Sequence, residues 1–320
     1  MYPIVASIII PVFNDAVELK KVLNALHNQR LVNGSFQVIV VDNGSADKPG
    51  DIVKGYDGVE YLIENRHLNS PYSCRNRGLE IAKGDVIVLL DGTCIPEPDW
   101  LEQGLKCIND RGADIVSSHV EFDFRGRITA GKLYDSNNLS TERAMKENGV
   151  AKTASLFIRK KVFDAVGPFP EGVRSGADVR WTRKASAMGF RMEYCYESVA
   201  KKKARFFVES VKKQWRVGKG QPAIRKEQGN NLNPFRLLVS SMIPPRWGRV
   251  KKLAANKNVT VDSWLLFRLY FVAWFIWIVM GMANVYGTWF LEESDSRFSD
   301  TGSVSEGNLD SVSVNRYRTS

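Results

Sequence analysis

The first half of the chain alternates between two kinds of pattern. Short runs rich in apolar residues occupy Ala6 to Val12, Phe36 to Val41, Val59 to Ile63, Val86 to Leu90 and Ala113 to Val120, the fourth of them unbroken. Runs of this length, bounded by polar punctuation, read as strands buried on both faces, the kind found in parallel sheets covered by helices. Between them, apolar residues recur at helical spacing. Val17, Leu19, Val22, Leu23 and Leu26 predict a crossover helix to about Arg30, with Asn14 and Asp15 as capping residues. Pro71 to Lys83 reads as a second helix closed by Gly84 as a C-cap, and Trp100 to Ile108 as a third. This βαβαβ order predicts an α/β fold with a mostly parallel, doubly wound central sheet flanked by helices. Further on, Leu133 to Met145 reads as helix, Ser155 to Ile158 as strand and Lys160 to Val166 as a short helix. A helix opened by Ser175 to Trp181 and running to Met188, ended by Gly189, a strand from Arg191 to Glu197 and a basic amphipathic helix from Ala204 to Gly218 complete the pattern.

The strand ends carry the candidate chemistry. Val86 to Leu90 runs abruptly into Asp91-Gly92-Thr93, and Phe36 to Val41 into Asp42-Asn43-Gly44-Ser45. Ala6 to Val12 runs into Phe13-Asn14, with Pro11 ending its ladder pairing. In open parallel sheets, ligands sit outside the carboxyl ends of the strands. Three converging loops with two carboxylates suit a nucleotide: a carboxylate accepts from a base N–H or a ribose hydroxyl, while cations or a metal offset a diphosphate. A simpler role for Asp91 is to cap the helix that starts near Pro98.

Four motifs in this order resemble the family 2 glycosyltransferases of the GT-A (nucleotide-diphospho-sugar transferase) fold. They are Ile10-Pro11-Val12-Phe13-Asn14, Val40-Val41-Asp42-Asn43-Gly44-Ser45, Arg75-Asn76 and Leu89-Leu90-Asp91-Gly92-Thr93. The resemblance covers roughly residues 4–220. It implies that Pro11, Phe13 and Asn14 line a base pocket, that Asp42 bonds the base with Asn43 and Ser45 in its loop, and that Arg75 approaches the diphosphate or base. Asp91 is implied to bind the ribose and to stand at the position of a divalent metal, Mg²⁺ or Mn²⁺. The sequence departs from the family at Thr93, where a second acidic ligand is usual. A threonine hydroxyl coordinates Mg²⁺ weakly and brings no charge, and no histidine follows His119. Neutralisation of the diphosphate by arginine and lysine is the alternative.

Gly167-Pro168-Phe169-Pro170-Glu171 resembles a turn of the same family, and Gln214-Trp215-Arg216 stands loosely where the family often has a segment over the diphosphate. Ala177-Asp178 stands where the family has Glu-Asp, whose Asp is the catalytic base of inverting enzymes. The resemblance therefore implies that Asp178 takes a proton from an acceptor hydroxyl as it attacks the anomeric carbon. An N-cap is the plainer role for Asp178, and the two are compatible. The implied reaction moves a sugar from a nucleotide-diphosphate donor, UDP-linked in the expected case, to a glycan or lipid-linked acceptor.

Charge changes the picture in one place. The whole chain carries a formal net charge of +10, yet Lys201 to Thr260 alone holds sixteen lysines and arginines against two glutamates, so the remainder is net acidic. Such a block suits an anionic membrane face or a polyphosphate, or forms a solvated helical face. Nucleic acid is not expected as a partner, because no nucleic-acid module accompanies it. Asn233 to Lys252 interleaves Phe235, Leu237, Leu238, Met242, Ile243 and Trp247 with arginines, and Pro244-Pro245 breaks it. Leu269 to Leu291 contains no charge and, at about 1.5 Å per residue, reaches roughly 34 Å, against a bilayer core of about 30 Å. Aromatic residues mark both ends, lysines and arginines precede it, and Glu292, Glu293 and Asp295 follow. The positive-inside rule then predicts a single-pass membrane protein with its catalytic domain at the cytoplasmic, inner face. A hydrophobic hairpin or a buried helix is the alternative.

The expected division is a catalytic domain over 1–220, a basic interfacial linker over 221–262, a hydrophobic helix over 263–291 and a disordered tail over 292–320. The four cysteines show no paired spacing, so neither a zinc site nor a disulfide is expected, and a reducing compartment follows. No charged leader precedes Ile4, so no secretory signal is expected. Two rivals stay open. A sugar nucleotidyltransferase would carry a Gly-rich phosphate loop where Pro11-Val12-Phe13-Asn14 stands. A non-catalytic membrane scaffold is favoured by Thr93 and Ala177.

Overall fold

In the computed structural model, which describes residues 3–31, 34–137, 142–227, 233–255 and 260–299, the apolar runs become one mixed eight-stranded sheet. The chain runs β1 (Ile4–Val12), α1 (Ala16–His27), β2 (Ser35–Asp42), α2 (Pro49–Val53), β3 (Val59–Ile63), α3 (Pro71–Leu79) and β4 (Val86–Leu90). It continues with β5 (Cys94–Pro96), α4 (Trp100–Asp110), β6 (Ile115–Asp123), α5 (Ala130–Asp135), α6 (Glu142–Asn148), β7 (Ser155–Arg159) and α7 (Lys160–Val166). Then come α8 (Ala177–Ala187), β8 (Met192–Lys203), α9 (Phe207–Glu227), α10 (Pro234–Met242), α11 (Trp247–Ala255) and α12 (Ser263–Ser299).

The strand order is β3-β2-β1-β4-β7-β6-β8-β5. β3, β2, β1 and β4 are parallel, whereas β7 is antiparallel to both β4 and β6, and β5 is antiparallel to β8. The parallel half is the expected βαβαβ unit, and all five residues of β4 are buried, as an apolar strand between two helical layers requires. One core lies between the sheet and α1 and α4, and a second lies on the opposite face against α3, α7 and α8.

Four expectations change. α3 stops at Leu79, so Gly84 is not its C-cap; it sits where a Cβ would lie 2.5 Å from the Ala6 carbonyl carbon, and its use is close approach to β1. β8 runs six residues past Glu197, through an irregularity in its pairing with β6 between Ser118 and His119. The predicted helix over 133–145 is two helices, α5 and α6, with part of the intervening stretch outside the described residues. Cys107 of α4 and Cys195 of β8 form a disulfide across 88 residues of chain, so the reasoning from unpaired spacing to a reducing compartment loses its basis.

α12 extends to Ser299, past the expected end at 291, and the rest of the tail lies outside the described residues. Its stretch Ser263–Trp289 is long and apolar enough to cross a membrane. One face of it is packed: Leu269, Ala273, Ile276 and Ala283, spaced three, four or seven apart, are fully buried. The opposite face exposes Trp264, Phe267, Phe271, Phe275, Met282 and Trp289. α9 runs alongside, with Phe207 against Phe275, Gly218 against Ala283 and Met280, and Lys219 over the ring of Tyr286. α10 lies on it through Gly281 and the Trp274 Nε1–H, which donates to the Met242 carbonyl.

Gly84→Ala is expected to destabilise the protein by about 1–3 kcal/mol, because the obstructing atoms are backbone and cannot rotate away. A thermal melt beside the wild type measures this; an unchanged midpoint would remove close packing as the reason for glycine there.

Candidate active site

The carboxyl ends of β1 and β4 meet the N-termini of α3 and α8 and the flank of α9 around a crevice of about 490 Å³. Asp91 stands one residue past β4, fixed by its own N–H to the Ala154 carbonyl (3.0 Å). Its Oδ1 accepts from Arg75 Nη2 at 2.9 Å and its Oδ2 from Lys202 Nζ at 2.7 Å. Both cations are buried, at 3% and 7% side-chain exposure. Burial pushes the Asp91 carboxyl up, but Lys202 and Arg75 outweigh it and hold its pKa at about 2. Burial likewise opposes the charge on Lys202, and Asp91 outweighs that, so the ammonium is held above its ordinary value. Asp91 therefore does not cap α4, whose N-cap is Asp99.

Sheet register puts Lys202 there. β5 pairs Cys94 with Lys202, and along β8 the side chains alternate: Ala200 and Lys202 are buried, Lys201 and Lys203 exposed. Lys201 turns outward to Glu97 at 2.7 Å. Arg75 is aimed by α3, which Pro71 and the Ser70 cap start. Asn76 clamps α3 to the Gly167–Glu171 turn: its Nδ2 donates to the Phe169 carbonyl (2.8 Å) and its Oδ1 accepts from the Phe169 N–H (3.0 Å).

Asp178 lines the same crevice from the first turn of α8, whose N-cap is Gly176 at φ +85°. Its Oδ1 accepts from the Tyr72 hydroxyl at 2.9 Å and from the Val179 N–H at 2.9 Å. Tyr72 thus joins α8 to α3, and burial and the Asp178 charge push its phenol well above the ordinary range. Lys152 also lines the crevice; burial lowers its ammonium, and Asp178 opposes that.

The other expected residues divide. Pro11, Phe13, Asn43, Arg75 and Thr93 line the crevice, whereas Asn14, Asp42 and Ser45 do not. The Asp42 carboxylate is bonded locally: Oδ1 accepts from the Ser45 N–H (2.9 Å) and hydroxyl (2.6 Å), and Oδ2 from the Tyr61 hydroxyl (2.8 Å). Asn14, at φ +53°, takes the Ala46 N–H on its Oδ1 and gives its own N–H to Ser45 Oγ, so these residues tie the first two loops together. Asn43, one residue on, faces the crevice while its Nδ2 donates to the carbonyls of Glu64 and His67.

The sequence reading left out most of the crevice's cations. Arg205, Lys213 and Arg216 line it along with Lys202; all four lie in the basic block from Lys201 to Thr260, but none was expected individually at the site. Buried Asp135 orders two of them, accepting from Lys213 Nζ at 3.1 Å and lying 3.6 Å from Arg205. Burial lowers the Lys213 ammonium to about 8 against the opposing pull of Asp135. The Nε atoms of Arg75 and Arg216 are buried with no hydrogen-bond partner among the described residues. Two unsatisfied cationic donors lining one crevice, from α3 and from α9, are suited to an anionic ligand. Alternation along a longer β8 was the available signal for Lys202, and the basic block after it for the rest.

The sequence profile of glycosyl transferase family 2 matches residues 7–167. Glycosyltransferase AglE of Haloferax volcanii is 41% identical over 220 residues, 67% of this chain and 72% of that protein. A putative glycosyltransferase, EpsH of Bacillus subtilis, is 30% identical over 42% of this chain, which spans only 38% of that relative's length. Among solved structures, the mannosyltransferase PcManGT of Pyrobaculum calidifontis, in complex with GDP-Man and Mn²⁺, superposes with a TM-score of 0.54 at 16% identity, covering 97% of this chain and 77% of that one. S. aureus TarS 1-349 in complex with UDP-GlcNAc gives 0.51 at 15% identity, covering 92% of each chain. At these identities the structural likeness is one of fold. The matched motifs, the mixed sheet and the relative at 41% identity together establish that this chain belongs to glycosyl transferase family 2, as a glycosyltransferase of the GT-A fold.

Proposed function

We propose that this glycosyltransferase moves a sugar, with inversion, from a nucleotide-diphosphate donor to a glycan or lipid-linked acceptor at the inner face of a membrane. The observation that carries the reading is the shared crevice: Asp178 and the Asp91 cluster line one cavity, with a wall of cations between β8 and α9. In this reading Asp178 takes the proton of the acceptor hydroxyl while that oxygen attacks the anomeric carbon. The bond from the anomeric carbon to the diphosphate breaks, and its electron pair leaves on the diphosphate oxygen. Tyr72 holds Asp178 in place through its hydroxyl. Pro11, Phe13 and Asn43 border the base, Asp91 the ribose, and the cations the developing charge. A UDP-linked donor is the expected one; the TarS complex carries UDP-GlcNAc and the PcManGT complex GDP-Man, both of the proposed chemical class.

For the membrane, the packing of α12 favours a helix lying in the interface plane over the single crossing expected from hydropathy. α9 runs beside it and carries Lys212, Lys213, Arg216, Lys219 and Arg225. Were the Phe275–Gly287 stretch to cross the bilayer core, those charges would enter it too, at about 2.5–3.5 kcal/mol each on insertion scales. In the plane, the exposed face of α12 and Phe235, Val239 and Ile243 of the α10 segment meet acyl chains. The arginines and lysines of α10 and α11 then meet anionic headgroups.

Asp178→Asn is expected to lower turnover by about 10²–10⁴-fold, as loss of a general base does, while leaving nucleotide affinity within about twofold. Release of nucleoside diphosphate from a donor panel, with calorimetric binding alongside, checks both; retained turnover would remove Asp178 from the mechanism. Nucleoside diphosphate affinity is expected to fall as pH rises through about 8, because the free protein then discharges Lys213 and loses an attractive cation. A flat binding profile from pH 7 to 9 would take Lys213 out of the diphosphate site. For topology, a single cysteine introduced at Ser303 should react with a membrane-impermeant maleimide only from the side that holds the catalytic domain. Labelling from the opposite side would restore the crossing.

A further inference from the structure

A divalent cation is the usual counter-charge for a departing nucleoside diphosphate in enzymes of this resemblance, and the crevice can be tested for a place to hold one. Among the described residues, no group of three histidine, cysteine, aspartate or glutamate side chains lies close enough to share an ion in the crevice; the one such group is Cys107, Cys195 and Glu197, of which none lines it. The crevice's carboxylates are Asp15, Asp91 and Asp178, which do not gather as a set of three around one point, and Thr93, two residues past Asp91, is uncharged. Each carboxylate oxygen of Asp91 already accepts a charged donor, from Arg75 at 2.9 Å and Lys202 at 2.7 Å. A cation bound to Asp91 would lie about 2 Å from a carboxylate oxygen, within a few ångströms of the buried Lys202 ammonium, and would be repelled by it. The donor set therefore does not fit a divalent cation.

The same residues fit its electrostatic task. We infer that the Lys202 ammonium, backed by Arg205, Lys213 and Arg216, neutralises the donor diphosphate directly, so that this chain binds nucleoside diphosphates without a divalent metal. The inference rests on the nucleotide-sugar reading above. Three further observations support it. β8 holds Lys202 rigidly: its side chain is 7% exposed and its backbone is paired to β5 at Cys94. The buried Nε atoms of Arg75 and Arg216 line the crevice with hydrogens to give and no acceptor among the described residues. Asp135, fully buried, positions Arg205 and Lys213 from behind and is itself outside the crevice, so it orders these cations without competing for the phosphates. Lys202 and Asp91 are thus a pre-formed pair in which the lysine is presented at a fixed point, as preorganised charge stabilisation requires.

The test is calorimetric titration of the full-length protein in detergent with UDP and with GDP, each in EDTA and in Mn²⁺. The wild type should bind the better of the two with affinities that agree within about threefold in the two conditions. Lys202→Met should lose at least about tenfold in EDTA, roughly one charge-assisted hydrogen bond, and Lys202→Arg should recover most of it. The double variant Lys202→Met with Thr93→Asp removes the ammonium and adds a second carboxylate, and its binding should come to depend on Mn²⁺. Wild-type binding that disappears in EDTA and returns with Mn²⁺ overturns the inference while leaving the nucleotide-sugar reading intact. So does Lys202→Met binding as tightly as the wild type in EDTA, with a melt to show that it is folded. Absence of binding to either nucleotide in both conditions overturns the nucleotide-sugar reading, and this inference with it. The wild-type comparison needs no variant, so it decides the question even if Lys202→Met fails to fold.

Discussion

The charge of Asp91, partly open to the crevice and paired with two buried cations, is the constraint around which the crevice is assembled. A carboxylate at the end of a strand buried on both faces is costly unless it is paired. Two elements supply the pairing: α3 through Arg75 and the carboxyl end of β8 through Lys202. Meeting that requirement draws α3 and β8 together over the end of β4. The linkage has a definite sign. The folded pKa of Asp91 lies below its unfolded value of about 4, so its contribution is present above that pH and lost as pH falls toward about 2. Lys202 is raised, so its contribution is present below the unfolded lysine value of about 10.4 and lost as pH rises beyond it. The pair is therefore at full strength across the whole neutral range.

The rest of the crevice follows from the same geometry. Tyr72 and Arg75 are three apart on α3, on one face of that helix, so the element that pairs Asp91 also holds Asp178. Asn76, the next residue, fixes α3 to the Gly167–Glu171 turn that precedes α8. One short helix thus sets the spacing between the two carboxylates. α9 closes the opposite side and has two jobs at once. One face gives Lys213, Arg216 and Gln221 to the crevice, and another packs Phe207 and Gly218 on α12. The cationic wall and the apolar contact with α12 are thus built on the same helix.

Disagreements between pattern and structure have identifiable causes. The motif at the end of β2 records that the strand ends in an acid; it does not record that Ser45 and Tyr61 reach the Asp42 carboxylate. Gly84 looked like a helix cap because it follows a helical stretch, but its lack of a side chain serves the approach of β1. The hydrophobic stretch from Leu269 is long and apolar enough to cross a bilayer, and length alone does not record that its stripe of Leu269, Ala273, Ile276 and Ala283 also packs on the protein.

The sequence by itself determined the parallel half of the sheet, the crossover helices, the strand-end position of Asp91 and Asp178 at the start of a helix. These follow from local periodicity and from punctuation by proline, glycine and acidic residues, which act within a few positions along the chain. Tertiary structure decided the partners of each charge. Lys202 meets Asp91 across 111 residues, Tyr72 meets Asp178 across 106, and Cys107 meets Cys195 across 88. Each of those meetings depends on the register between β5 and β8 or on how helices seat on the sheet. Such distances are fixed only when the whole core packs, and no spacing within the chain encodes them.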